Sequence, residues 1–192
     1  LSFWEAGMFD IIQSKHPVTD ISEFSGLTIR VMENDIFMAT MSALGINPVP
    51  MAWSEVFTSI QNGTVDGTSN PPVTIYTASI HTIAKYFTVA NMIYSPIPVI
   101  MSKFTYDTLP EDYQKLMYEA AEAASVVEYQ FIDELEETAF AAFEEAGVEV
   151  TFFTEEQIAE CKQLMLDKVW PQFVGSSVDQ ADIDAINAAA KG

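Results

Sequence analysis

The sequence predicts an α/β fold with a largely parallel sheet, joined to one unusually long helix. Three observations lead there. Strand and helix signals alternate through the first half of the chain. From Glu111 to Ala146 there is neither glycine nor proline, and Ala, Glu, Leu and Met dominate. The 192 residues are 49% hydrophobic and 12% aromatic, which is ample for a packed core and outside the disordered range.

The elements follow in order. Leu1–Glu5 is short and apolar-rich, and Asp20–Phe24 reads as a helical turn closed by Gly26. Leu27–Val31 is a strand. Ile36–Leu44 is helical and stops at Gly45, a residue suited to the position just past a helix end. Pro48–Met51 is a short strand, and Ser54 can cap a helix running to Asn62, with Gly63 after it. Val65–Gly67 is a brief strand, after which Asn70-Pro71-Pro72 forces a turn. Met92–Tyr94 and Ile97–Ser102 complete the strands. Phe87–Phe104 is the most apolar long window, but Asn91, Ser95, Pro96 and Pro98 interrupt it. It reads as two buried strands and not as a membrane span.

In the long helical run, Leu116, Ala120, Ala123, Val127, Phe131 and Leu135 recur at helical spacing, so that face is expected to be buried. Such a helix is roughly 54 Å long at the usual rise per residue. A compact domain of this size is shorter, so the helix must kink, project or run along two lobes. A dimerising coiled coil is the alternative, although the stripe is not a strict heptad and lacks alternating flanking charges. Val148–Phe153 then reads as a strand, Thr154-Glu155-Glu156-Gln157 opens a helix with a capping box, and Asp179–Ala190 is a last helix.

Charge narrows the possible partners. The chain carries 28 Asp and Glu against 8 Lys and Arg, a formal charge of −20. Such a surface repels phosphate backbones and anionic membranes, so neither nucleic-acid binding nor membrane insertion is expected. It suits an exported protein of low pI, or one from a salty medium whose ions screen charges beyond about 10 Å. No signal peptide is visible, and the first residue is Leu1, so a mature or truncated chain is expected. Cys161, the one cysteine, permits no internal disulfide and reads as a structural or surface thiol.

No catalytic constellation stands out. There is no nucleophile elbow and no phosphate-binding glycine loop, and neither His16 nor His81 has a plausible nucleophile beside it. His81 and Lys85 read as surface residues, and Asp133-Glu134-Leu135-Glu136-Glu137 as a solvated helix face. No metal site and no cofactor are expected. What remains looks like a binding site. Arg30, the only arginine, falls at the C-terminal end of an apolar strand, where α/β sheets present ligands. A guanidinium there can hold a carboxylate in a two-pronged pair. An internal ion pair with one of the many acids is the competing reading.

Three linked stretches carry a family resemblance: GLTIRVMEN (Gly26–Asn34), LGINPVPMAWSEVFTSIQNGTVDG (Leu44–Gly67) and SNPP (Ser69–Pro72). Together they strongly resemble the substrate-binding subunit of tripartite ATP-independent periplasmic (TRAP) transporters. SKHPVTDISEFSG (Ser14–Gly26) fits the same family's lead-in, and Tyr94–Ala124 fits its hinge strands and long helix. The resemblance implies a two-lobed periplasmic-binding-protein-like fold, with a long helix spanning both lobes and the N-terminal part missing. It divides the chain into a ligand-binding lobe (1–90), hinge strands (91–109), the inter-lobe helix (110–147) and C-terminal packing elements (148–192).

The function it implies is periplasmic capture of an organic acid and delivery to membrane permease subunits, by a monomer and without catalysis. Arg30 matches the arginine that pairs with the ligand carboxylate, Asn70 matches a ligand-contacting asparagine, and Trp53 occupies an aromatic position beside the site. Phe9 and Tyr94 complete the candidate contacts. Met8-Phe9-Asp10 stands where many members carry a second arginine, which disfavours a ligand with two carboxylates. Ser69 replaces the family's glutamate. The alternative function is an extracytoplasmic ligand-sensing module; an enzyme on the same scaffold and a ligand-free, helix-mediated dimer are weaker rivals.

Overall fold

A computed structural model describes residues 1–189. The strands are β1 (Ser2–Gln13), β2 (Thr28–Val31), β3 (Asn47–Pro50), β4 (Gly67–Asn70), β5 (Tyr86–Val99) and β6 (Glu149–Phe152). They form one sheet in the order β3-β2-β4-β1-β5-β6. The helices are α1 (Asp35–Ala43), α2 (Val56–Gln61), α3 (Pro72–Thr77), α4 (Lys103–Asp107), α5 (Glu111–Glu145), α6 (Glu155–Leu164) and α7 (Gln180–Ala189). The expected α/β layering is present, but the sheet is mixed. β2 runs parallel to β3 and β4, and β5 to β6, whereas β1 is antiparallel to both β4 and β5.

Local chemistry sets most boundaries. Asp20 and Glu23 form a capping box on the turn Ile21–Phe24, and Asn34 Oδ1 accepts from the Ile36 and Phe37 amides to start α1. Gly45, with φ +83°, lets the chain leave α1 in a left-handed turn. Thr154 and Gln157 form the expected capping box on α6. Ser54 caps nothing. It lies inside a 3-10 turn, Trp53–Glu55, that leads into α2 without a side-chain cap. β4 starts where the expected strand ends, and Pro71-Pro72 does not turn the chain back but opens α3, with proline at a position that needs no amide donor.

The two strands expected in that window are one continuous strand, β5, which ends at Val99 and is buried only over Phe87, Thr88 and Ala90 near its start, and Lys103 and Phe104 already belong to α4. Its far half is open to solvent: Tyr94 is 49% exposed and Ile97 43%. β6 pairs only with Tyr86–Val89, so Pro96 and Pro98 lie where β5 has an unpaired edge, a place a strand tolerates proline. Among the described residues, no helix is long and apolar enough to cross a membrane.

Helix α5 has the expected length, but the expected stripe does not face the protein. Its buried residues are Ala121, Ser125, Ala139 and Phe143, while Leu116, Val127 and Phe131 are all more than half exposed. Both sets have helical spacing. Ala139 and Phe143 pack in the core that holds Ile12 of β1, and Tyr129 donates to the Phe3 carbonyl at 2.9 Å. His81 and Lys85 also depart from the surface reading. His81 is buried between Tyr76 and Phe143, and the Lys85 ammonium donates to the His81 and Ala146 carbonyls, closing the C-terminal end of α5.

The sheet separates two cores. On one face Ile11, Phe24, Ile29, Val31 and Met41 pack with α1 and α6; on the other Ile12, Val56, Ile75, Phe87, Ala139 and Phe143 pack with α2, α3 and α5. Cys161 is buried in the first core, which pushes its thiol up to about 11 and makes it a structural residue. The closest approach is at Gly67, where a Cβ would lie 1.9 Å from the Ile12 carbonyl oxygen and 2.7 Å from Gln13 Cα. Gly67→Ala therefore forces β4 away from β1 and should cost at least about 1 to 3 kcal/mol in denaturant unfolding. Phe143→Ala, which empties the middle of the second core, should cost about 3 to 5 kcal/mol by the same measurement.

Candidate functional site

The register of three neighbouring strands sets the site. Arg30 on β2 pairs with Thr68 on β4, and Asn70 on β4 pairs with Asp10 on β1. Side chains of directly paired residues share a face, and alternate residues of a strand share it too. Arg30, Thr68, Asn70 and Asp10 therefore project from the same side of the sheet. All four are buried, with Arg30 only 5% exposed.

Nε and Nη2 of Arg30 both donate to the Met51 carbonyl, at 3.0 and 2.8 Å, which fixes the plane of the guanidinium. The loop after β3 supplies that carbonyl, and two residues on it supplies Trp53, whose ring lies 5.3 Å from the guanidinium carbon. Trp53 itself is 44% exposed and covers the site from the solvent side. Among the described residues Arg30 makes no ion pair: the pairs present are Lys15–Asp66, Lys103–Asp107 and Lys115–Glu119. Burial alone lowers its pKa. A desolvated cation with no counter-anion is expensive, so the remaining edge of the fork, Nη1 with the second Nη2 proton, is disposed to accept an anion from outside.

Asn70 is oriented in the same way. Its Oδ1 accepts from the Thr68 hydroxyl at 2.8 Å, while Thr68 Oγ1 also lies 3.4 Å from the Arg30 carbonyl. The Asn70 amide nitrogen makes no hydrogen bond among the described side chains and points its donors away from Thr68. Arg30 and Asn70 thus offer donors from one face of adjacent strands, near the C-terminal ends of β2 and β4. That arrangement suits a carboxylate. Among the described residues no group of His, Cys, Asp and Glu could hold a metal ion.

The structure brings Arg30, Trp53 and Asn70 together, and leaves the other two candidates elsewhere. Phe9 is buried on the opposite face, edge-on to Phe37 of α1 with ring centroids 5.0 Å apart, because its neighbour Asp10 takes the Arg30 side. Tyr94 stands on the exposed far half of β5, where its hydroxyl donates to Glu5 at 3.0 Å. Ser69 is buried with its hydroxyl unpartnered and, by alternation, faces away from Arg30. Sequence reasoning missed Asp10. Its carboxylate accepts from the Ala90 and Asn91 amides at 2.8 Å each, and burial pushes its pKa up to about 7 against the opposing pull of those two amides. A lone acid within the apolar run Phe9-Asp10-Ile11-Ile12 was the available signal.

Comparison with known proteins identifies relatives of this chain. The family described as bacterial extracellular solute-binding protein, family 7, matches residues 1–176. The C4-dicarboxylate-binding periplasmic protein DctP of Rhodobacter capsulatus is 36% identical over 151 residues, covering 77% of this chain and 44% of that relative. The sugar acid binding protein DctPAm of Advenella mimigardefordensis, solved with galactonate, superposes with a TM-score of 0.87 at 26% identity, covering 99% of this chain and 61% of that one. A TRAP periplasmic solute binding protein of Sulfitobacter sp. NAS-14.1, solved with β-D-galacturonate, gives 0.79 at 27% identity, covering 87% and 57%. The chain spans less than half the length of the R. capsulatus relative. Its α/β architecture is that of the two-lobed TRAP binding proteins, and the chain belongs to the bacterial extracellular solute-binding proteins of family 7.

Proposed function

We propose that this chain is the carboxylate-capturing part of a periplasmic TRAP solute-binding protein, which hands an organic acid to membrane permease subunits. The observation that carries the reading is Arg30: buried, held in one plane by the Met51 carbonyl, and without an acidic partner among the described residues. A protein with 28 acids has many ways to neutralise one buried arginine internally, and among the described residues none is used. The ligand carboxylate supplies the missing anion. Asn70 donates a further hydrogen bond to it, and Trp53 covers the pair and excludes water, which strengthens both interactions.

The ligand class follows from what surrounds that anchor. Arg30 is the chain's only arginine, and Phe9 and Asp10 bring no cation to the site, so an acid with one carboxylate on a hydroxylated body fits better than a dicarboxylate. Sugar acids bound to the Sulfitobacter and Advenella proteins are of this class. In this reading, residues 1–90 form the ligand-binding lobe. Residues 91–109 are the hinge strands, with their start at the bulge of β5, and α5 is the inter-lobe helix. The lobes close over the ligand by bending at the hinge, and the permease senses the closed form. A non-catalytic monomer suffices for this role.

Titration of the full-length protein with a panel of mono- and dicarboxylic acids, galacturonate and galactonate among them, tests the reading by calorimetry. Arg30→Ala should weaken binding of the preferred acid at least about thirtyfold, the effect of truncating one partner of a buried charge pair. Arg30→Lys should not restore it, because a point charge cannot replace the fork. The ligand-free Arg30→Ala protein should melt no lower than wild type, since it loses an uncompensated charge. If wild type and Arg30→Ala bind every acid alike, the carboxylate reading fails. Trp53→Ala should raise the Kd by about two- to fivefold, the value of an exposed cation–π contact.

A further inference from the structure

Asp10 is a buried acid that the capture of a carboxylate does not itself require. It sits where β1 and β5 lose register. Phe9 pairs with Ile93 and Ile11 pairs with Thr88, so β1 advances by two residues while β5 advances by five. The surplus residues of β5 bulge outward, and Asn91 takes a left-handed conformation with φ +50°, unusual for a residue other than glycine. A bulge of this kind leaves amides without ladder partners. Asp10 Oδ1 takes two of them, those of Ala90 and Asn91, at 2.8 Å each.

The bulge divides two regions of different character. Before it, β5 is buried and paired on both edges; after it, β5 pairs only with β1, and the resulting two-stranded arm carries Tyr94 into solvent. On its other side Asp10 is the register partner of Asn70. One residue therefore links the three: its carboxylate holds the bulge from which the arm departs, and its backbone pairs with the strand end that presents Asn70. We propose that Asp10 is the positioning residue of the hinge: its carboxylate pins the bulge of β5, fixes the arm carrying Tyr94 against the strand carrying Asn70, and loses that grip when protonated.

The surroundings of Asp10 make that protonation accessible. Burial raises its pKa to about 7, the two amides oppose the rise, and the Glu136 carboxylate on α5 adds to it. Glu136 is itself held above the usual carboxylate range by burial, with Asp133 and Glu5 adding to the effect. Among the described residues the cations on that side are Arg30 of β2, two strands away, and Lys85, whose ammonium is held by the His81 and Ala146 carbonyls at the far end of α5; β4, β5 and α3 contribute no charged side chain there. Above neutrality the ionised carboxylate makes two charge-assisted bonds to the bulge; below it, a neutral carboxyl accepts more weakly. The same group has a stability signature. Its folded pKa lies above the ordinary 3.8, so its stabilising contribution is complete at low pH and is lost as pH rises through about 4 to 7.

The consequence for ligand binding rests on the carboxylate-capture reading, but the test needs no ligand, so the two fail separately. In the full-length protein, the Asp10 carboxyl carbon is followed by NMR against pH, together with hydrogen-exchange protection of the Ala90 and Asn91 amides. Asp10 should titrate near pH 7. Protection of both amides should fall about tenfold from pH 8 to pH 6, the drop in ionised fraction for such a group, and Asn70 and Tyr94 resonances should shift with the same midpoint. In Asp10→Asn all these profiles should be flat, and the melting temperature should gain on wild type as pH rises from 5 to 8. Glu136→Gln should move the wild-type midpoint to lower pH and carries the test if Asp10→Asn does not fold. The proposal is overturned if Asp10 titrates below pH 5, if Asp10→Asn amides track wild type, or if Asn70 and Tyr94 ignore the Asp10 midpoint.

Discussion

Two antiparallel pairings meet on β1, which holds β4 along Asp10–Gln13 and β5 along most of its length, so every other layer takes its position from that strand. Ile11 and Ile12, successive residues of β1, anchor the two cores on opposite faces of the sheet. A one-residue slip of β1 would exchange those cores and would turn Asp10 away from Asn70. Gly67 guards against it. Its missing side chain is what lets β4 approach the Ile12 carbonyl closely enough to lock the register.

The binding face follows from the same register. Because Arg30 is paired with Thr68 and Asn70 with Asp10, one alternation carries a cation, an amide donor and an acid to a single side of the sheet. Each polar group is then treated differently by its surroundings. Arg30 is planar and oriented but uncompensated, Asn70 has its acceptor occupied and its donors free, and Asp10 is occupied by the backbone of β5. In the proposed reading the unsatisfied donors face the acid, and the satisfied acceptor holds the shape of the sheet.

The far half of the β1–β5 arm and the outer face of α5 contrast with this core. Phe3, Ile97, Val126, Val127 and Phe131 are all substantially exposed. The chain spans about half the length of the curated relatives it matches. Long-range bonds nevertheless hold helix and arm together, from Tyr129 to the Phe3 carbonyl and from the Glu5 amide to Glu128.

Local chemistry was legible in the residues. The helical turn from Asp20, the capping box at Thr154, glycine stops at Gly26 and Gly45, the glycine- and proline-free run of α5, and Arg30 at a strand end were all readable, because each depends on neighbours within a few positions. What needed the tertiary structure was every choice between equivalent local options. Two stripes on α5 share helical spacing, and packing in the tertiary structure buries the one with Ala121, Ser125, Ala139 and Phe143. Two prolines suggested a break in β5, and an unpaired edge made them harmless. Phe9 and Asp10 are adjacent, and only the pairing of β1 with β4 decided which of them faces Arg30. A strand's alternation states that neighbours part company; which one enters the site is decided by the partner strand, which lies sixty residues further along the chain.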